Sequence, residues 1–455
     1  MNDKLKNIPD VDFIFFSARD HVSGTKNHGL LQMFEFFTNN LDKKSIFVNT
    51  QHSVFSNDAD IFDLSRLGGH LPLAHQINTT MVNSNDPRSW HTLYGIENHK
   101  IIAINTLIKN LPNHKCIVVA DKAEVDFHIL ARVMEHFKSK LLIISAVNNT
   151  WTGLCAYPKE FNCDKFKTVD GCTSDCPAIK PNSGHGQKFV SYNYRTTVTF
   201  AKSNPNSVFL NVGNKFSFDE ANESYAFKDI QKALIPLKTV AADDSFEVVW
   251  ERKKHNKKQI LDLLESKYGI VGVDYVLMWS ADNLGMKRKG MNYFIESLHN
   301  LKNKIGDDFK NLCLIICAGE SDLYNEKLDE LGIKYAKVGF LNRESYNKVA
   351  SAADLYCSTT ISDAGPRTTF EAAAQATPII SFDFCNAADF VNETNGALVE
   401  TYNTKMFSQE LERLISEKDK AKQYSEQIYK TYNEFMDTDR LVQKWNTFFD
   451  KTLKI

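Results

Sequence analysis

Short apolar runs recur along the chain and alternate with stretches whose apolar residues fall every three or four positions. In the first half, Asp12–Ser17, Ser45–Val48, Cys116–Ala120 and Leu141–Ser145 have strand length and no clear polar face, the pattern of parallel strands covered on both sides. Between them, Leu30, Met33, Phe34, Phe37 and Leu41 are spaced as one face of a helix, and Val125–Phe137 reads as another helix. A second series starts near Asp274. Tyr275–Trp279, Leu312–Cys317, Ala336–Val338, Leu355–Cys357 and Pro378–Phe382 read as strands, with a helix over Asn292–Ile305 built on Phe294, Leu298, Leu301 and Ile305. Strands alternating with helices require crossover connections and hence parallel sheets. The chain closes on an apolar stripe of Leu441, Trp445, Phe448 and Phe449. The expected organisation is an α/β domain over 1–255, a second over 256–435, and a closing helix over 436–455 packing back on the first. Glu251–Lys258 (ERKKHNKK) marks the division; it reads as a solvated helix start or linker, or as a contact for anionic headgroups.

Composition narrows the function. With 54 Lys and Arg against 56 Asp and Glu in 455 residues, the formal charge is −2, which removes the electrostatic case for a nucleic-acid partner. The longest apolar run near the middle, Leu141–Val147, is far short of the roughly 20 residues a bilayer-spanning helix needs. The first ten residues are polar and lack the apolar core of a secretory signal. Nine cysteines, most of them inside apolar segments, point to a reducing compartment, and the expected location is the cytoplasm.

Two parallel-sheet domains leave a crevice between them, and ligands of such sheets bind beyond the carboxyl ends of the strands. The most informative stretch starts there, after Leu355–Cys357. A turn with Asp363, Gly365 and Pro366 leads into a short Ala-rich helix through Phe370–Gln375. The first N–H groups of that helix, near Arg367–Thr369, have no intrahelical acceptors, and with the helix dipole they favour a phosphate. Gly365 removes a side chain where a ligand approaches, and Arg367 adds a charge-assisted donor. Asp363 and Glu371 are eight positions apart, one on the loop and one on the helix.

The run DAGPRTTFEAAAQATPIISFD, followed by NAADFV and NG, resembles the donor-site signature of family 4 retaining glycosyltransferases. The resemblance implies the GT-B fold, two Rossmann-like domains facing a central cleft. It also implies that Glu371 binds the donor ribose, that Asp363 (where the family usually has Glu) contacts the donor sugar, and that the backbone of Gly365, Pro366, Arg367 and Thr368 holds the diphosphate. Lys287-Arg288-Lys289-Gly290 is similar to the family's basic residues opening a helix, which implies Lys289 on the diphosphate and Arg288 in a salt bridge or as a second contact. An arginine that often precedes that lysine by six residues is Asn283 here. Gly319 after one strand suits a nucleobase pocket, as does Val338-Gly339-Phe340. Gly24, in Ser23-Gly24-Thr25, resembles a small-residue loop facing the diphosphate.

The donor implied is a UDP- or GDP-sugar, with no catalytic metal. The acceptor implied is a glycan or lipid-linked saccharide at the inner face of the cell membrane, by resemblance to enzymes of bacterial capsule, O-antigen and exopolysaccharide assembly. Trp151-Thr152-Gly153-Leu154-Cys155-Ala156-Tyr157, Cys163, Cys172 and Cys176-Pro177 are similar to a segment of that bacterial subset, where a His-Asp pair usually precedes; Asn148-Asn149 stand in its place. Four thiols within 22 residues leave two readings open, a structural zinc on Cys155, Cys163, Cys172 and Cys176, or reduced thiols or disulfides. The other readings of the whole chain are a GT-B nucleotide-sugar epimerase and a catalytically weak scaffold partner.

Overall fold

A computed structural model describes residues 11–17, 29–41, 43–49, 61–63, 116–121, 127–145, 148–153, 155–173, 175–178, 184–237, 242, 244–319 and 322–453. The chain divides into two compact units, Met1–Thr239 with Thr438–Ile455, and Val240–Asp437.

Among the described residues of the first unit, seven parallel strands are present: β1 (Phe13–Ser17), β2 (Ser45–Asn49), β3 (Ile61–Asp63), β4 (Ile117–Ala120), β5 (Lys140–Ser145), β6 (Val208–Val212) and β7 (Gln231–Leu234), in the order β3-β2-β1-β4-β5-β6-β7. Helices α1 (Gly29–Asn40), α2 (Phe127–Phe137), α3 (Gly184–Ser203) and α4 (Lys215–Glu223) accompany them. Alternate residues of a strand point to opposite faces, and both faces of this sheet are dry. Ile14 and Phe16 join one buried cluster with Phe127, Leu130 and Trp151, while Phe13 and Phe15 join another with Phe37 and Phe47. The closing segment belongs to this second cluster. Trp445 packs edge-on to Phe37 with ring centroids 4.9 Å apart, and Phe449 lies 5.2 Å from Phe13.

The second unit starts with α5 (Phe246–Tyr268), capped by Ser245 and ended by Gly269 in the left-handed region. Residue 255 falls inside it. ERKKHNKK is therefore neither linker nor helix start, and two of its cations are internal anchors. The Lys253 ammonium donates to Ser351 O (3.0 Å), Ala353 O (2.6 Å) and Thr377 Oγ1 (3.0 Å), and Lys257 pairs with Asp354 at 2.7 Å. A lysine needs three acceptors to be buried intact, and these supply them.

The sheet of this unit contains β8 (Tyr275–Asn283), β9 (Leu312–Gly319), β10 (Lys334–Lys337), β11 (Leu355–Ser358), β12 (Ile379–Phe382) and β13 (Gly396–Val399) in the order β10-β9-β8-β11-β12-β13, all parallel. Helices α6 (Met291–Ile305), α7 (Asn325–Leu331), α8 (Arg343–Ala352), α9 (Arg367–Ala374), α10 (Ala387–Phe390), α11 (Thr404–Ser416) and α12 (Ala421–Phe435) accompany it, and α13 (Thr438–Phe448) returns the chain to the first unit. Leu277 and Trp279 face one core, Val276 and Met278 the other. In both sheets the order reverses at one point, between β1 and β4 and between β8 and β11. Such switch points are where doubly wound sheets bind ligands. No described helix is long and apolar enough to cross a membrane.

Candidate functional site

The loops that follow β8 and β11 flank the switch point of the second sheet, and they are the two segments singled out in the sequence. They are stitched together. Ile361 N donates to Arg288 O at 2.9 Å, and Thr359 Oγ1 donates to Gly290 O at 2.8 Å. Gly290 has φ +75°, and a Cβ there would lie 1.9 Å from Thr359 O, so only glycine permits this approach.

The turn buries two neighbouring cations. Arg288 is 0 % exposed; it donates to Asp363 Oδ2 at 2.6 Å and reaches toward Ser362 O. Lys289 donates to the same Asp363 oxygen at 2.6 Å, and its side chain is 9 % exposed. The other carboxylate oxygen, Oδ1, accepts from Ala364 N at 2.8 Å. Burial by itself raises the Asp363 carboxyl; Lys289 and Arg288 outweigh it and hold the group well below the usual carboxylate range. Asp363 is further fixed through its carbonyl, which accepts the Cys385 thiol at 2.8 Å, while Asn386 Nδ2 donates to Pro366 O at 2.9 Å.

At the tip of α9, the N-cap is Pro366, which has no side-chain group with which to cap the helix, and Gly365 takes φ +125° before it. The Gly365 and Thr368 N–H groups make no hydrogen bond among the described residues. Thr368 Oγ1 accepts from Tyr356 at 2.7 Å. One turn into the helix, Glu371 Oε1 meets Arg367 Nε at 3.0 Å. Burial raises the Glu371 carboxyl, against the pull of Arg367 and of Arg343 at the start of α8. Lys289, Asp363, Gly365, Pro366, Arg367, Thr368 and Glu371 therefore all sit on this one edge of the sheet, and Arg288 lies beneath it.

Gly319 ends β9 opposite Asn283 of β8. A Cβ on Gly319 would lie 2.9 Å from Asp282 O, so its glycine serves backbone packing at the end of β9. Phe340, in the turn after β10, is 74 % exposed. Asn283 folds its side chain back on Gly285 N at 2.7 Å. Gly24 lies outside the described residues. Cys155, Cys163, Cys172 and Cys176 form no disulfide among the described residues; burial pushes Cys155 well up, with Cys176, Cys172 and Cys163 adding to it. Among the described residues, no group of three or more His, Cys, Asp or Glu side chains is placed to hold a metal ion.

Sequence reasoning missed the hydroxyls behind the helix tip (Ser280, Tyr346 and Tyr356), the two supports Cys385 and Asn386, and a buried carboxyl in the first unit. That group is Glu220 on α4, whose Oε2 accepts from Asn148 Nδ2. Burial pushes it up to about 7.

Two parallel-sheet units, each with a switch point, give the chain an α/β fold of the GT-B type. Residues 281–431 match the family model described as glycosyl transferases group 1. Among solved structures, sucrose-phosphate synthase from Thermosynechococcus elongatus is 11 % identical, with 98 % of this chain and 100 % of that one covered and a TM-score of 0.60. Anabaena HepE in complex with UDP-glucose is 12 % identical, with 98 % and 100 % covered and a TM-score of 0.57. The pneumococcal O-GlcNAc transferase GtfA in complex with UDP and GlcNAc is 16 % identical, with 78 % of this chain covered and a TM-score of 0.50; the chain spans 61 % of that protein's length. No curated protein matches the chain in sequence.

Proposed function

We propose that the protein is a retaining glycosyltransferase that moves a sugar from a nucleoside-diphosphate donor to a hydroxyl of a glycan, free or lipid-linked, in the assembly of a bacterial surface polysaccharide. The observation that carries this reading is the edge at the β8/β11 switch point. An uncapped helix tip and Lys289 stand together there, within a segment that matches the group 1 transferase model. The UDP and UDP-glucose bound by the neighbours favour a UDP-sugar over a GDP-sugar.

Breaking the anomeric bond builds positive charge on the sugar and negative charge on the departing diphosphate. The α9 tip and Lys289 take up the negative charge, and because they are already in place they do so without reorganising. Asp363 orients Lys289, and Arg288 secures Asp363 from beneath. Glu371 accepts from the ribose hydroxyls, exchanging its Arg367 contact for them. A lipid-linked acceptor would bring the protein to the inner face of the membrane.

The test is to incubate the protein with a panel of UDP-, GDP- and CMP-sugars and follow nucleotide release. Release from one donor, abolished in Glu371→Ala with an unchanged melting temperature, is the expected result. Isomerised sugar without release would replace the reading with an epimerase, and silence across the panel would leave a scaffold.

A further inference from the structure

Behind the α9 tip runs a chain of hydrogen-bonded hydroxyls. Tyr356, on β11, donates its phenolic proton to Thr368 Oγ1 at 2.7 Å. Its oxygen lies 2.9 Å from Ser280 Oγ on β8, and Ser280 Oγ lies 3.1 Å from the Tyr346 hydroxyl on α8. A hydroxyl has a single proton. Once Tyr356 gives its own to Thr368, Ser280 must give to Tyr356, and Tyr346 to Ser280. Burial pushes both phenols up, so the chain stays protonated at every physiological pH. The Thr368 proton is left over, and among the described residues nothing accepts it. Packing alone does not call for this arrangement, because Phe at 346 and 356 with Ala at 280 would fill nearly the same space without polar atoms to satisfy.

We propose that Tyr346, Ser280 and Tyr356 are positioning residues that turn the Thr368 hydroxyl into a committed donor, aimed at a phosphoryl oxygen of a nucleoside diphosphate seated on the α9 tip. The proposal rests on the donor-site reading above. An unassisted threonine divides its time among rotamers and between donating and accepting. With one lone pair engaged by Tyr356, the hydroxyl is held in one rotamer and turns its proton to an incoming anion. The chain also ties both strands of the switch point to α8 and to the helix tip, so the donor is held by rigid elements rather than by the loop.

The experiment titrates UDP, GDP and ADP calorimetrically into the wild type, takes forward the nucleotide that binds tightest, and repeats it on variants checked by melting. Thr368→Val is expected to weaken binding about ten-fold, the scale of one hydrogen bond to a charged group. Thr368→Ser is expected to stay within about two-fold of the wild type. Tyr356→Phe is expected to weaken binding about five-fold, and Tyr356→Phe with Thr368→Val is expected to be no weaker than Thr368→Val alone, since both act through one proton. Losses that add would make Tyr356 a structural support and overturn the proposal, as would unchanged affinity in Tyr356→Phe or in Thr368→Val. Should Tyr356→Phe not fold, Ser280→Ala takes its place under the same non-additivity test. A wild type that binds none of the three nucleotides overturns the donor-site reading and this proposal together. A wild type that binds, with variants that do not differ from it, overturns this proposal alone.

Discussion

Asp363 and Glu220 are carboxyls largely shielded from water, one in each unit, and each lies in the segment that follows an interior strand of a parallel sheet. Asp363 stands after β11 with Arg288 and Lys289 on one of its oxygens. Glu220 stands on α4 after β6, with one oxygen on the Asn148 amide and the other without a partner among the described residues. Burial raises both. At Asp363 two cations in contact reverse it; at Glu220 the cations Lys159 and Lys167 act only from a distance, and the carboxyl is left near 7. Depth alone therefore does not set the charge of a buried acid; the charge touching it does. The first arrangement keeps a permanent anion to hold a lysine in place, and the second keeps a proton that solution pH can remove.

Removing the anion should have the largest effect. Asp363→Ala leaves Arg288 buried with no carboxylate, and breaking a buried pair from one side costs about 3–5 kcal/mol. Urea unfolding of the second unit should report a loss of that order. A wild-type midpoint would mean that the arginine does not depend on Asp363.

The contrast was only half legible in the sequence. DFIFFS declares a strand buried on both sides, and its alternate residues do enter two separate cores. The helix start near Arg367 and the loop before it could be read because proline and glycine punctuate locally. That Arg288 and Lys289 would meet on one carboxylate oxygen could not be read. They are adjacent in the chain, and a tight turn closed by Gly290 in the left-handed region buries both. Their shared partner is 74 residues away from Lys289. Ser280 and Tyr356 sit in strands where a polar atom gives no sign of what it meets across the sheet. In KFSFDEANE nothing distinguishes Glu220 from its exposed neighbours. Its burial comes from a segment 72 residues earlier, folded over it through Asn148.

Glu220→Gln turns the second carboxyl into a group that cannot ionise. In the unfolded chain this acid loses its proton near 4.5, in the folded one near 7. Between those values the folded state holds more protons than the unfolded state, so wild-type stability falls as pH rises, and the fall is complete above about 7. Removing the group should therefore stabilise the protein by about 3 kcal/mol at pH 8 and by little at pH 4.5. Chemical unfolding of both forms at the two pH values checks this. Equal midpoints at pH 8 would place Glu220 in contact with a charge like that at Asp363.

Lys289→Met takes one cation from Asp363 and leaves Arg288 in place, so the anion survives and the fold with it. Its effect should fall on binding. The affinity for the preferred nucleoside diphosphate should drop about 10–30-fold, the scale of one charge-assisted hydrogen bond. The melting temperature should move by no more than a few degrees. A large loss of stability with unchanged affinity would reverse the division of labour between the two cations.

The smallest expected effect tests whether the Asp363 side of the comparison is held by charge or by its loop. The Cys385 thiol donates to the Asp363 carbonyl, and Cys385 takes φ +53° to reach it. A thiol is a weak donor, and Asn386 holds the same loop through Pro366. Cys385→Ala should therefore cost only about 1 kcal/mol, and Cys385→Ser, whose hydroxyl makes the shorter bond, about the same or less. If the cations dominate, both variants keep wild-type nucleotide affinity, because Arg288 and Lys289 still fix the carboxylate from the other end. If Cys385→Ala loses as much affinity as Lys289→Met, the position of Asp363 is set by the loop behind it, and the two cations follow the carboxylate.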